Sequence, residues 1–100
     1  MSIRVNVAIK YDVEFDELGG YSADDAVRMI RKIQSEYAED VISWVDEHET
    51  DFELSRPELQ HLMDSGKMLD DPDADALEVF VQSLLDMGDR DRDFIVVQLY

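Results

Sequence analysis

From Ile3 to Phe15 every odd position is apolar (Ile3, Val5, Val7, Ile9, Tyr11, Val13, Phe15), and every even position except Ala8 is polar. A period of two puts one set of side chains on each face of a pleated strand. The alternation therefore predicts one long half-buried β-strand, and it obliges the rest of the chain to supply a covering layer. Gly19 and Gly20 follow as a turn.

The rest of the chain reads mostly as helix. Ser22 followed by Asp24 and Asp25 has the form of a helix start, with a side-chain oxygen for an unpaired N–H and carboxylates on the positive end of the dipole. Ala26, Ile30, Ile33, Tyr37, Val41, Trp44 and Val45 recur at spacings of three and four. That pattern allows helix from residue 23 to about His48, in one piece or in two with a bend near Ala38 to Asp40. Thr50 to Leu54 alternates and reads as a short strand or an extended linker. Ser55 with Glu58 is a capping box, Pro57 suits a first turn, and Gly66 closes a short second helix. Asp73 or Asp75 starts a last helix through Phe80 and Leu84 to Gly88. Asp89 to Asp93 is a charged turn, and Phe94 to Val97, extended by Leu99 and Tyr100, reads as a strand buried on both faces or paired centrally.

These elements predict an α+β fold: a small two-layer domain in which the long N-terminal strand pairs with the C-terminal strand and about three helices pack on the sheet. The expected core includes Ile30, Ile33, Tyr37, Val41, Trp44, Phe80 and Leu84. One hundred residues without a Pro, Gly or Ser rich linker make a single domain, residues 1–100. With 45% hydrophobic residues the chain can bury a core despite a net charge of −16. There is no Cys, and no apolar run long enough for a membrane span or a signal peptide, so a soluble, cytoplasmic protein is expected.

The charge is segregated. Glu36 to Asp75 holds fourteen acids against Arg56 and Lys67, which leaves −12 in that stretch. Such a surface repels DNA, RNA and anionic lipid and calls for a basic partner. Its candidate partner-binding residues are Glu36, Glu39, Asp40, Asp46, Glu47, Glu49, Asp51, Glu53, Asp70, Asp71, Asp73 and Asp75. The expected partner is a basic DNA- or RNA-binding protein or nucleoprotein complex, with no direct nucleic acid and no membrane; a homodimer is a further allowed assembly.

No motif names a reaction. Asp71, Asp73 and Asp75 match the first, third and fifth places of an EF-hand loop, but Ala76 stands where Gly is needed and Gln82 where a bidentate Glu is needed. Asp89, Asp91 and Asp93 have Arg90 and Arg92 between them. His48 and His61 lie on separate segments, and no nucleophile elbow, phosphate loop or zinc motif is present. The chain is read as non-catalytic, without cofactor or metal. Arg28, Arg31 and Lys32 are expected to form ion pairs with Asp24, Asp25 and Glu36, and Tyr37 and Trp44 to lie in the core.

If the carboxylates stand in for phosphates, a duplex with one charge per ~1.7 Å matches sixteen charges over roughly 27 Å, inside the ~34 Å diameter of a domain this long. In size and charge format the chain resembles the small acidic DNA-mimic inhibitors of phages and mobile elements, the anti-restriction and anti-CRISPR type. The resemblance rests on a Cys-free domain of this length and on runs such as Asp46, Glu47, Glu49, Asp51, Glu53 and Asp70, Asp71, Asp73, Asp75. It implies an inhibitor that blocks DNA access to a host defence or DNA-binding protein, acting in the host cytoplasm if phage-encoded. Two alternatives share the composition: an acidic protein–protein adaptor without mimicry, and a salt-adapted halophile domain, for which sixteen Asp to nine Glu and six Arg to three Lys speak.

Overall fold

The computed structural model describes residues 5–10 and 14–99, so the expectations placed on Ile3, Arg4, Tyr11, Asp12, Val13 and Tyr100 lie outside the described residues. The elements are β1 Val5–Lys10, β2 Glu14–Glu17, α1 Ala23–Glu36, β3 Ile42–Val45, β4 Asp51–Ser55, α2 Arg56–Ser65, α3 Ala74–Met87 and β5 Phe94–Leu99. The architecture is α+β, an antiparallel five-stranded sheet in the order β2-β1-β5-β4-β3 with three helices against it.

β5 occupies the centre of the sheet. Val5, Asn6 and Val7 pair with Leu99, Gln98 and Val97, and Asp51 to Ser55 pair with Gln98 to Phe94. The C-terminal strand is thus flanked on both sides, as its dense β-branched and aromatic composition suggests. Its burial nevertheless alternates. Ile95, Val97 and Leu99 face the core, and Phe94, Val96 and Gln98 are only half-buried.

The expected continuous strand from Ile3 to Phe15 is two strands among its described residues. β1 and β2 pair antiparallel, with Asn6 opposite Glu17 and Ala8 opposite Phe15. An extra residue in β1 between Ala8 and Lys10 shifts the register, and such a bulge turns the alternation over locally. A second correction concerns residues 37–48. α1 ends at Glu36, the N–H groups of Tyr37 and Ala38 both donate to the Ile33 carbonyl at 2.9 Å, and the chain enters β3 instead of continuing as helix. The apolar residues at 41, 44 and 45 fit a helical spacing by coincidence with a strand rich in β-branched and aromatic residues, Ile42-Ser43-Trp44-Val45.

Local capping explains the helix boundaries. Ser22 Oγ accepts from the Asp25 N–H at 3.1 Å, and Ser55 Oγ from the Glu58 N–H at 3.3 Å, each contributing about 1 kcal/mol. Gly66 ends α2 in the left-handed conformation, φ 69°, which costs glycine nothing sterically. α3 finishes against Arg56, whose Nη1 donates to the Leu85 carbonyl at 3.0 Å and Nη2 to that of Asp89 at 3.1 Å. A cation at this end also interacts favourably with the negative end of the helix dipole.

One core joins the layers. Val5, Val7, Phe52, Leu54, Ile95, Val97 and Leu99 of the sheet meet Ala26, Ile30 and Ile33 of α1, Leu59 and Leu62 of α2, and Leu77, Phe80 and Leu84 of α3. Phe52 and Phe80 are fully buried, worth about 2–3 kcal/mol each, and Tyr21 sets its ring edge-on to Phe80 at 5.2 Å. The outward face of the sheet carries no helix, and Asn6, Asp51, Glu53, Ser55, Val96 and Gln98 on it are half-buried. The radius of gyration is 12.4 Å and the extents are 35 × 32 × 24 Å. Among the described residues no helix is long and apolar enough to cross a membrane.

Candidate partner-binding surface

The acidic residues fall into two groups with different work. The first is bound into the fold. Asp71, in the α2–α3 loop, accepts from the Tyr37 hydroxyl, from the Asp73 N–H at 2.8 Å and from Lys32 Nζ at 3.0 Å. Its side chain is only 3% exposed. The Tyr37 hydroxyl first, then the Asp73 N–H and Lys32, hold the carboxyl down at about 2. The same bond to Asp71 pushes the Tyr37 phenol up to about 12, and Lys32 is raised through its bond to Asp71. Asp73 is the second carboxylate on Lys32, at 3.4 Å. Of the three acids in the partial EF-hand spacing, Asp71 and Asp73 are thus taken by a lysine ammonium.

Asp46 is likewise internal. It accepts from the N–H groups of Asp51 and Thr50 at 2.9 and 2.7 Å and from Thr50 Oγ1 at 2.7 Å, clamping the β3–β4 turn. The Asp51 N–H, followed by the Thr50 hydroxyl, depresses this carboxyl to about 2. Glu49 in the same turn has φ 55°, strained for a residue with a side chain, and pairs with Arg31, which also bonds Gln34 at 2.9 Å. Asp51 leaves Oδ1 buried without a hydrogen-bond donor.

The second group faces solvent. Glu36, Glu39, Asp40, Asp70 and Asp75 are exposed and have no counter-charge among the described residues, and Glu53 is half-buried with none. Glu47 is exposed beside His48 at 3.3 Å. His48 lies in the β3–β4 turn, not at the expected helix end.

The bases of α1 determine how these runs come together. Arg28 pairs with Asp25 at 3.7 Å, as helical spacing predicts. Arg31 and Lys32 do not take Glu36; they reach Glu49 in one acidic run and Asp71 and Asp73 in the other. The β3–β4 turn and the α2–α3 loop are thus drawn onto α1, with Glu36, Glu39 and Asp40 at its C-terminal end. The sequence holds the Arg31 and Lys32 signal, but neighbouring acids at i±4 mask these long-range partners. Of the expected contact residues, Asp71 is engaged by Tyr37, Asp73 and Lys32, and Asp46 by Thr50 and Asp51 of its own turn.

Trp44 is the second departure. Expected in the core, it is 51% exposed. Ile42 lies opposite Leu54 and Trp44 opposite Glu53, so Ser43 is an extra residue and the register slips there. The bulge keeps Ile42 and Val45 inward and turns the indole to the open face.

Between α1 and the β3–β4 turn lies an open groove of about 410 Å³ lined by Ala23, Asp24, Val27, Arg28, His48, Glu49, Thr50 and Leu99. Among the described residues no three His, Asp or Glu side chains have an arrangement that could hold a metal ion. Comparison with protein-family models, with curated proteins and with solved structures gave no match to this chain.

Proposed function

We propose that this protein is a non-catalytic acidic DNA mimic that docks on the basic nucleic-acid-binding surface of another protein and keeps DNA off it. One observation carries the reading: Arg31 and Lys32 gather two separate acidic runs around α1, while Glu36, Glu39, Asp40, Asp70 and Asp75 are left without counter-charges. Exposed carboxylates without counter-charges raise the local potential and favour a basic surface both in affinity and in rate of encounter. The overall scale supports it too. A net charge of −16 along a longest extent of 35 Å gives one charge per ~2 Å, near the ~1.7 Å of duplex DNA.

The test is capture of binding proteins from host extract in dilute buffer, release by salt, and challenge of each retained protein with duplex DNA. The reading expects a DNA- or RNA-binding partner whose complex weakens steeply with salt. Retention of a protein without nucleic-acid function would leave the acidic adaptor as the account. The exposed Trp44 favours that adaptor in one respect, since an apolar anchor has no counterpart in a phosphate backbone.

A further inference from the structure

We infer that the helix-free face of the sheet is a docking face for a basic polypeptide segment, and that the Trp44 and Glu53 pair on it receives an arginine side chain. The inference rests on the reading that the partner is basic, and adds to it a place and a residue type.

The pair is built by register. Trp44 on the edge strand β3 lies directly opposite Glu53, and Glu53 lies opposite Val96 on the central strand. Opposed residues on one face of an antiparallel sheet have Cβ atoms about 5 Å apart, so an indole, a carboxylate and an apolar floor stand side by side. The bulge at Ser43 is what exposes the indole, and bulges re-aim side chains at the cost of ladder hydrogen bonds. Glu53 has no cation near it among the described residues, although its half-buried setting strengthens its attraction for one. At the far side of the same face, Phe15 lies opposite Ala8 and is 36% exposed.

Charge decides the occupant. A second copy of this chain would bring another −16 against the first, which like-charge repulsion disfavours. A neutral apolar segment would leave Glu53 and Asp51 desolvated without partners. A guanidinium satisfies both halves of the pair: its plane stacks on the indole while its N–H fork donates to the carboxylate. A lysine ammonium is a point charge that cannot do both in one plane.

Trp44 is the only tryptophan, so its emission reports this face alone. The experiment titrates the intact protein in dilute buffer with an arginine-only and a lysine-only peptide of equal length. Expected is a saturable change of Trp44 emission with the arginine peptide, which binds at least about threefold tighter than the lysine peptide. Glu53→Gln, which keeps the reporter, removes most of that preference. A Glu36→Gln, Asp40→Asn variant instead weakens both peptides alike. Equal binding of the two peptides with unmoved emission, or an unchanged preference in Glu53→Gln, overturns the inference and leaves the acidic binding function standing. Failure of both peptides to bind overturns both.

Discussion

The hydroxyl of Tyr37, just beyond the end of α1, donates to the carboxylate of Asp71 in the α2–α3 loop, thirty-four positions away in the chain. This bond and the Lys32 bridge beside it hold the loop on the helix, and both depend on pH. Asp71 has its carboxyl depressed from 3.8 to about 2, so its contribution to stability is present above the unfolded value and is lost as pH falls from near 4 toward 2. Tyr37 is raised from 10.0 to about 12, so its contribution is complete below 10 and is lost as pH rises toward 12. Tyr37→Phe should lower the thermal midpoint at neutral pH and flatten both the acid and the alkaline limb. Thermal melts across pH, on the wild type and this variant, check it.

Gly88 sits where the chain leaves α3 at φ −61°, a conformation open to any residue. Space is what requires glycine, since a Cβ there would lie 2.8 Å from Arg56 Nη2, 2.9 Å from Ile95 Cγ1 and 3.0 Å from the Leu84 carbonyl oxygen. Gly88→Ala should cost about 1–3 kcal/mol by overpacking. Gly19→Ala, which meets nothing within 4 Å, should change stability by less than ~0.5 kcal/mol. Urea unfolding of the two variants measures the difference.

Adjacent residues of β5 face opposite sides of the sheet. Val97 is fully buried and Val96 half-buried on the open face. Val97→Asp should remove several kcal/mol or prevent folding, because a carboxylate there has no donor and no water. Val96→Lys, which sets a cation opposite Glu53 on the open face, should be tolerated within about 1 kcal/mol. Circular dichroism melts separate them, and equal losses would contradict the described register.

Much of this fold is legible from short-range chemistry. Ser22, Ser55 and Gly66 mark helix ends because caps are local hydrogen bonds and a local backbone conformation, and the β-branched run from Phe94 marks the central strand. The missed features are those set by register. The two bulges, between Ala8 and Lys10 and at Ser43, each reverse a period of two without a Gly or Pro to announce it. The one at Ser43 accounts for Trp44 being on the surface. The roles of Asp46 and Asp71 were hidden by abundance, since twenty-five acids make any one look like part of a charged surface until its hydrogen-bond partners are known.

The halophile alternative makes a distinct prediction about the fold itself. A domain held together by Lys32, Arg31 and an apolar core should be folded in dilute buffer, and molar KCl should add a modest benefit by screening self-repulsion. Circular dichroism in the two solutions decides; structure that appears only in molar salt would support salt adaptation.

Binding should draw on the solvent-facing carboxylates. Converting Glu36, Glu39, Asp40, Asp70 and Asp75 to amides should weaken a captured partner at least about tenfold with little change in thermal midpoint. Converting Asp91 and Asp93, which lie beside Arg90 and Arg92, should weaken it far less. Affinity measured by calorimetry for both variants checks the division.

The most direct measurement is equilibrium competition between this protein and duplex DNA for one purified partner, followed by sedimentation at fixed ionic strength. If the carboxylates occupy the site of the phosphates, each ligand displaces the other completely and no species contains all three. A ternary complex of partner, DNA and this protein would contradict DNA mimicry.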